Sequence, residues 1–214
     1  MLKIPKINFT NPLNLATGRF RDLKNRLSAH HNGNQLIDPD MILAKAHVRP
    51  GMHVADLGCG RIGHIAFPAS TAVGEAGVVY AVDILPEVLQ DVKRRAEDED
   101  ILNIHTVWAD LENYGRTAIP ARSLQAGFFV NVFCQTPGRE VYEKMITEAL
   151  RLLTDKGRLV IVDWVQTGLP IAPPAERLVN FRDLKTWAVS HGLSVVEEFA
   201  MGKYHQGIVF FKQD

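Results

Sequence analysis

From about residue 40 to the C-terminus, short apolar runs rich in Val, Ile, Leu and Phe alternate with segments whose apolar positions recur every three or four residues. The runs predict strands buried on both faces and the periodic segments predict helices that cover them, an alternation expected of a largely parallel, doubly wound α/β sheet. A helix is expected at 38–46, ahead of Pro50-Gly51, with a first strand at 53–57. A glycine-rich turn at 58–63 then opens a helix that runs to about Val73. The second strand falls at 77–83, and Pro86 starts a helix whose polar face is Gln90, Lys93, Arg94 and Glu97. Further strands are expected at 104–109, 126–132 and 158–164. Between the last two, the helix 139–153 carries Tyr142, Met145, Ile146, Ala149 and Leu150 on one face. A loop containing Pro170, Pro173 and Pro174 leads into a helix at 181–191 that Gly192 ends. The closing strands, 193–201 and 207–212, are joined by a turn too short for a crossover helix, so they must be antiparallel.

A chain of 214 residues with 46% apolar content can bury one substantial core and is short for two full domains. The expected organisation is an N-terminal arm or lid at 1–37 followed by one domain at 38–214. Its 24 basic and 24 acidic residues cancel, so no global field selects nucleic acid or a membrane surface as partner. The balance is local: Lys3, Lys6, Arg19, Arg21, Lys24 and Arg26 face only Asp22 in the first thirty residues. A solvated helix face accounts for that arm as well as a phosphate contact does, and Phe20, Leu23 and Leu27 at helical spacing suggest a lid packed on the domain. Cys59 and Cys134 make no disulfide framework and lack partners at zinc-site spacing, so no metal is expected and a reducing cytoplasm is the simplest location. No apolar run reaches signal-peptide or membrane-spanning length, so the protein is expected to be soluble.

The segment Val54-Ala-Asp-Leu-Gly-Cys-Gly-Arg-Ile-Gly-His64 sets glycines between a strand and a helix, where backbone amides can approach a ligand. Gly58, Gly60 and Gly63 satisfy the G-x-G-x-x-G dinucleotide fingerprint, and Asp83 stands where a ribose-binding acid is expected. Two acids turn the reading away from a nicotinamide dinucleotide. Asp56, two residues before the first glycine, would repel a pyrophosphate but suits an ammonium, and Asp110, past the third strand, can accept from an adenine amino group. Each acid also has a plain structural use: Asp56 bonding turn amides, Asp83 capping the Pro86 helix, Asp110 capping a turn near Glu112. Together they lie at carboxyl ends of strands, where open α/β sheets bind ligands.

These segments, with Val79 to Asp83, Trp108-Ala-Asp110 and the run RLLTDKGRLVIVDW at 151–164, resemble the successive motifs of class I S-adenosylmethionine-dependent methyltransferases, especially the group related to ubiquinone/menaquinone-biosynthesis enzymes. The resemblance implies a Rossmann-like, three-layer α/β/α fold whose seven strands run 3-2-1-4-5-7-6 with strand 7 antiparallel. It implies S-adenosylmethionine as cofactor, with Gly58 and Gly60 along the methionine part, Asp83 on the ribose and Asp110 beside the adenine. Asp56, Cys59, Ile84, Leu111 and Asn131 complete the expected cofactor set. One departure is visible: the family's third glycine is replaced by Ile62 and displaced to Gly63, so Arg61 and Ile62 are expected to narrow the pocket.

Methyl transfer from a sulfonium is a direct displacement, for which alignment and exclusion of water supply most of the catalysis. The acceptor should lie over the ends of strands 4 and 5 and the strand 6–7 turn, which selects Phe133, Trp164, Tyr204 and His205, with Asn131, Cys134 and Gln135 nearby. A hydroxyl acceptor needs a base, and Tyr204 and His205 are the candidates; the plainer alternative makes them turn residues with exposed tips. The expected function is methyl transfer to a small molecule. Competing functions are an RNA methyltransferase using the basic arm, an NAD(P)-dependent oxidoreductase using the glycine fingerprint, and a protein that binds the cofactor without turnover.

Overall fold

The computed structural model describes residues 33–213. Most of the arm expected at 1–37 lies outside those residues, with Phe20, Leu23, Leu27 and His30-His31. Helices α1 (Pro39–Lys45), α2 (Ala66–Val73), α3 (Pro86–Asp98), α4 (Arg139–Leu152) and α5 (Phe181–Ser190) alternate with strands β1 (His53–Leu57), β2 (Val78–Asp83), β3 (Ile104–Trp108), β4 (Leu124–Val130), β5 (Leu153–Trp164), β6 (Leu193–Met201) and β7 (His205–Lys212). The strands form one sheet in the order β3-β2-β1-β4-β5-β7-β6. Neighbours are parallel from β3 through β5, whereas β7 runs antiparallel to both β5 and β6. This is the Rossmann-like order that the sequence motifs imply.

Local chemistry sets the helix starts. Asp38 caps α1 by accepting from the amides of Asp40 and Met41 at 2.9 and 3.3 Å, with Pro39 in the first turn. Asn180 caps α5 in the same way. Helices α2 and α3 pack on β1–β3. On the opposite face, Tyr142, Met145 and Ile146 of α4 and Leu184 and Ala188 of α5 share a core with Leu57, Leu159, Ile161, Ile208 and Phe210 of the strands. The carboxyl ends of β1, β2, β4 and β5 therefore meet along one edge, and the hairpin turn that delivers β7 lies beside them.

Three boundaries differ from the pattern-based expectation. Strand β4 ends at Val130, because Asn131 takes a left-handed φ of 55° and a short 3₁₀ turn, Phe133–Gln135, follows. Strand β5 begins directly after α4; Leu124 and Ala126 of β4 face Leu153 and Arg158, so 154–157 bulge outward with Lys156 at φ 63°. Strand β7 begins at His205, which sits opposite Trp164. The last difference moves a residue expected in a turn into the sheet.

Candidate active site

The chain leaves β1 through Gly58, whose φ is 86°. The amides of Gly58 and Cys59 both donate to the carbonyl of Val82 at 2.8 and 2.9 Å, and the amide of Gly60 donates to Oδ2 of Asp83 at 3.1 Å. The other Asp83 oxygen accepts from Leu85 at 3.0 Å and so fixes the start of α3. At Gly58 a Cβ would stand 2.8 Å from Val132, which makes glycine a packing requirement against the end of β4. At Gly60 a Cβ would meet nothing within 4 Å, leaving room above the turn. The expected narrowing by Arg61 and Ile62 does not occur. Arg61 is drawn outward by its ion pair with Asp91 of α3, the Ile62 carbonyl accepts from Arg95, and the Ile62 side chain is 54% exposed.

Asp56 is buried beneath this turn and accepts from the amide of Ala66 at 3.0 Å. Burial pushes its carboxyl pKa up to about 7; the Ala66 amide opposes that shift and the neighbouring Asp83 charge adds to it. Burial also raises Asp83, against the pull of the Leu85, Gly60 and Ile84 amides. Neither acid forms an ion pair with a basic side chain among the described residues. Two adjacent buried carboxylates supplied only with amides leave negative charge uncompensated, which fits a ligand that brings a cation.

On this side Asp110 also has the structural use anticipated for it. Asp110 accepts from the Glu112 amide and from Asn113 Nδ2, shaping the loop after β3. The Ile84 carbonyl accepts from Trp108 Nε1 at 2.8 Å. The side chains of Leu111 and Cys59 are buried, Leu111 in the main core, so of these two residues only the backbone can face a ligand. Burial raises the Cys59 thiol well above its ordinary range.

At the β4–β5–β7 corner the assignments divide. Asn131 donates through Nδ2 to Asn34 Oδ1 at 2.8 Å, and both residues are buried. Trp164 is 1% exposed and its ring centroid lies 4.1 Å from that of His205, while Tyr204 is half-buried in the turn. Phe133, expected on the pocket wall, is a core side chain instead: the 3₁₀ turn aims its ring between Phe129 and Tyr142, at 4.9 and 4.8 Å. Cys134 is likewise buried, with its thiol raised by burial. His205 does not have an exposed tip, since it is 2% exposed.

Sequence reasoning passed over Asp163. This buried acid accepts from the amides of Phe133, Cys134 and Trp164 at 2.8, 3.3 and 2.8 Å, and so folds the turn that ends β4. Burial lifts its pKa to about 6. The available signal was an acid inside the otherwise apolar strand 158–164.

Residues 54–157, from β1 into β5, match a family described as a methyltransferase domain. The match takes in just under half of the chain. Among solved structures, a methyltransferase from Aquifex aeolicus described as SAM-dependent superposes with a TM-score of 0.74 at 22% identity, covering 90% of this chain and 97% of that one. Among curated proteins, aklanonic acid methyltransferase DauC of Streptomyces sp. is 38% identical over 73 residues, 34% of this chain and 31% of the relative. Nocamycin O-methyltransferase of Saccharothrix syringae is 30% identical over 144 residues, 66% of this chain and 46% of the relative. The chain thus spans less than half the length of either curated relative. Among its described residues no helix is long and apolar enough to cross a membrane.

Proposed function

We propose that the protein transfers a methyl group from S-adenosylmethionine to a small-molecule acceptor by direct displacement. The observation that carries this reading is the buried pair Asp56 and Asp83 beside the glycine turn, with amide partners and, among the described residues, no basic side chain paired to either. A dinucleotide pyrophosphate would meet two buried acids there, whereas the cofactor's ammonium and sulfonium bring the missing positive charge. When bound, S-adenosylmethionine supplies an electrophilic methyl group on a cationic sulfur. In this reading Asp56 faces the ammonium, directly or through water, Gly60 lets the backbone approach the methionine part, Asp83 accepts from the ribose hydroxyls, and Asp110 receives the adenine amino group.

The two curated relatives are named for small organic acceptors, which supports the same acceptor class here. The oxidoreductase reading is disfavoured by the acid pair. The RNA reading rests on the basic arm at 1–30, outside the described residues. A reducing, cytoplasmic setting accords with two free buried cysteines. The test is transfer of radiolabelled methyl from S-adenosylmethionine into a small-molecule panel and, separately, into bulk RNA. Label in small organic products is expected; label confined to RNA would replace the proposed acceptor class.

A further inference from the structure

His205 is the first residue of β7, directly across from Trp164 at the end of β5 and from Met201 of β6. It is 2% exposed, yet neither ring nitrogen has a hydrogen-bond partner among the described residues. A buried polar group left unpaired forfeits its full hydration, and an apolar ring of similar shape would avoid that loss. The ring lies against the Trp164 indole, 4.1 Å between centroids at 46°. Above the indole, Gly33 fits so closely that a Cβ there would come within 2.2 Å of Cζ2, and Asn34 is bonded to Asn131 of the β4 turn. The corner thus offers a flat apolar wall and an unsatisfied imidazole, with Gly33 seated on the indole and Asn34 tied to the β4 turn.

On the methyltransferase reading above, we propose that His205 is the catalytic base for an acceptor bearing a phenolic or enolic hydroxyl, whose flat unsaturated ring or chain rests on Trp164. His205 takes the hydroxyl proton as the acceptor oxygen gains the methyl carbon and the carbon–sulfur electron pair stays on sulfur. The products are the methyl ether, S-adenosylhomocysteine and an imidazolium that returns its proton to water. Positive charge passes from sulfur to imidazole, so the site gains none during the step. Burial holds the free imidazole's pKa down at about 4, so it is neutral near pH 7 and able to accept. That low basicity matches an acidic hydroxyl better than an aliphatic alcohol. Tyr204, half-buried in the turn, lacks this combination of burial and unmet hydrogen bonding.

The experiment uses the full chain, wild type and His205→Phe, saturated with S-adenosylhomocysteine and titrated with 1-naphthol and with naphthalene. Wild type is expected to favour 1-naphthol by about tenfold, and His205→Phe to erase that preference. Because the variant removes unpaired nitrogens, its Tm should be unchanged or higher. Methylation of 1-naphthol should fall by roughly a hundredfold or more. Equal binding of the two probes to wild type, or a preference that survives in His205→Phe, overturns the proposal. So does a Tm lowered by several degrees with methylation retained, which marks a structural histidine bonded to internal water. Failure of wild type to bind S-adenosylhomocysteine shows before any probe is added, and overturns the underlying methyltransferase reading together with this proposal.

Discussion

Two buried acids in this protein are treated in opposite ways. Glu148 of α4 is fully buried and receives everything a carboxylate needs: the amides of Gly115 and Thr117 at 2.7 and 3.3 Å, and Arg151 through both Nε and Nη2. Burial works against its charged form, but Arg151, Thr117 and the Gly115 amide outweigh it and hold the carboxyl below its ordinary range. Asp56, at the end of β1, is buried as deeply but has amides alone, and its pKa rises to about 7. The first acid completes its ion pair within the fold and anchors the 110–123 loop. The second is left short of a positive charge, as suits a group whose partner arrives with the ligand.

Removing Glu148 should therefore cost the most. Glu148→Gln leaves Arg151 without its buried partner and should destabilise the protein by about 3–5 kcal/mol, measured by chemical denaturation. A loss below about 1 kcal/mol would place Glu148 among ordinary surface pairs. Because its folded pKa is depressed, its contribution is present above its unfolded pKa and lost as pH falls through the folded value. Asp83→Ala should weaken S-adenosylmethionine binding by about tenfold or more, close to 1.4 kcal/mol, by calorimetry. Unchanged affinity would remove Asp83 from the cofactor site.

Asp56 sharpens the comparison through pH. Its proton is held more tightly in the folded protein, near 7, than its ordinary value of 3.8, so the stability it contributes is full below about pH 4 and is lost as pH rises through 7. A cationic ligand favours the ionised form, so cofactor affinity should fall as pH drops below about 7. Asp56→Asn should flatten both dependences; steep pH profiles in the variant would assign them to other groups. The smallest effect is expected at Tyr204: Tyr204→Phe should leave methyl transfer within a few-fold of wild type, and a collapse of activity would move the proton acceptor there from His205.

The same contrast explains what the sequence disclosed. The β1–β2 corner was readable because its determinants are contiguous: strand, glycines, acid at the strand end. The sheet order came from motif resemblance, and the antiparallel end from the short hairpin turn. The β5–β7 corner was not readable, because the burial of His205 depends on its register opposite Trp164, and moving the start of β7 by two residues changes a turn tip into a sheet position. Phe133 was misplaced for a related reason: its direction is set by Asp163, thirty residues on, collecting the amides of the 3₁₀ turn. Non-local hydrogen bonds of that kind leave no periodic trace.

The central claim is that the acids left without a cation at the β1–β2 corner await a cationic nucleoside cofactor. Calorimetric titration of the purified protein with S-adenosylmethionine, S-adenosylhomocysteine and NADH tests it most directly. Micromolar binding of the first two, with none of NADH, is the predicted result; binding of NADH alone would contradict it.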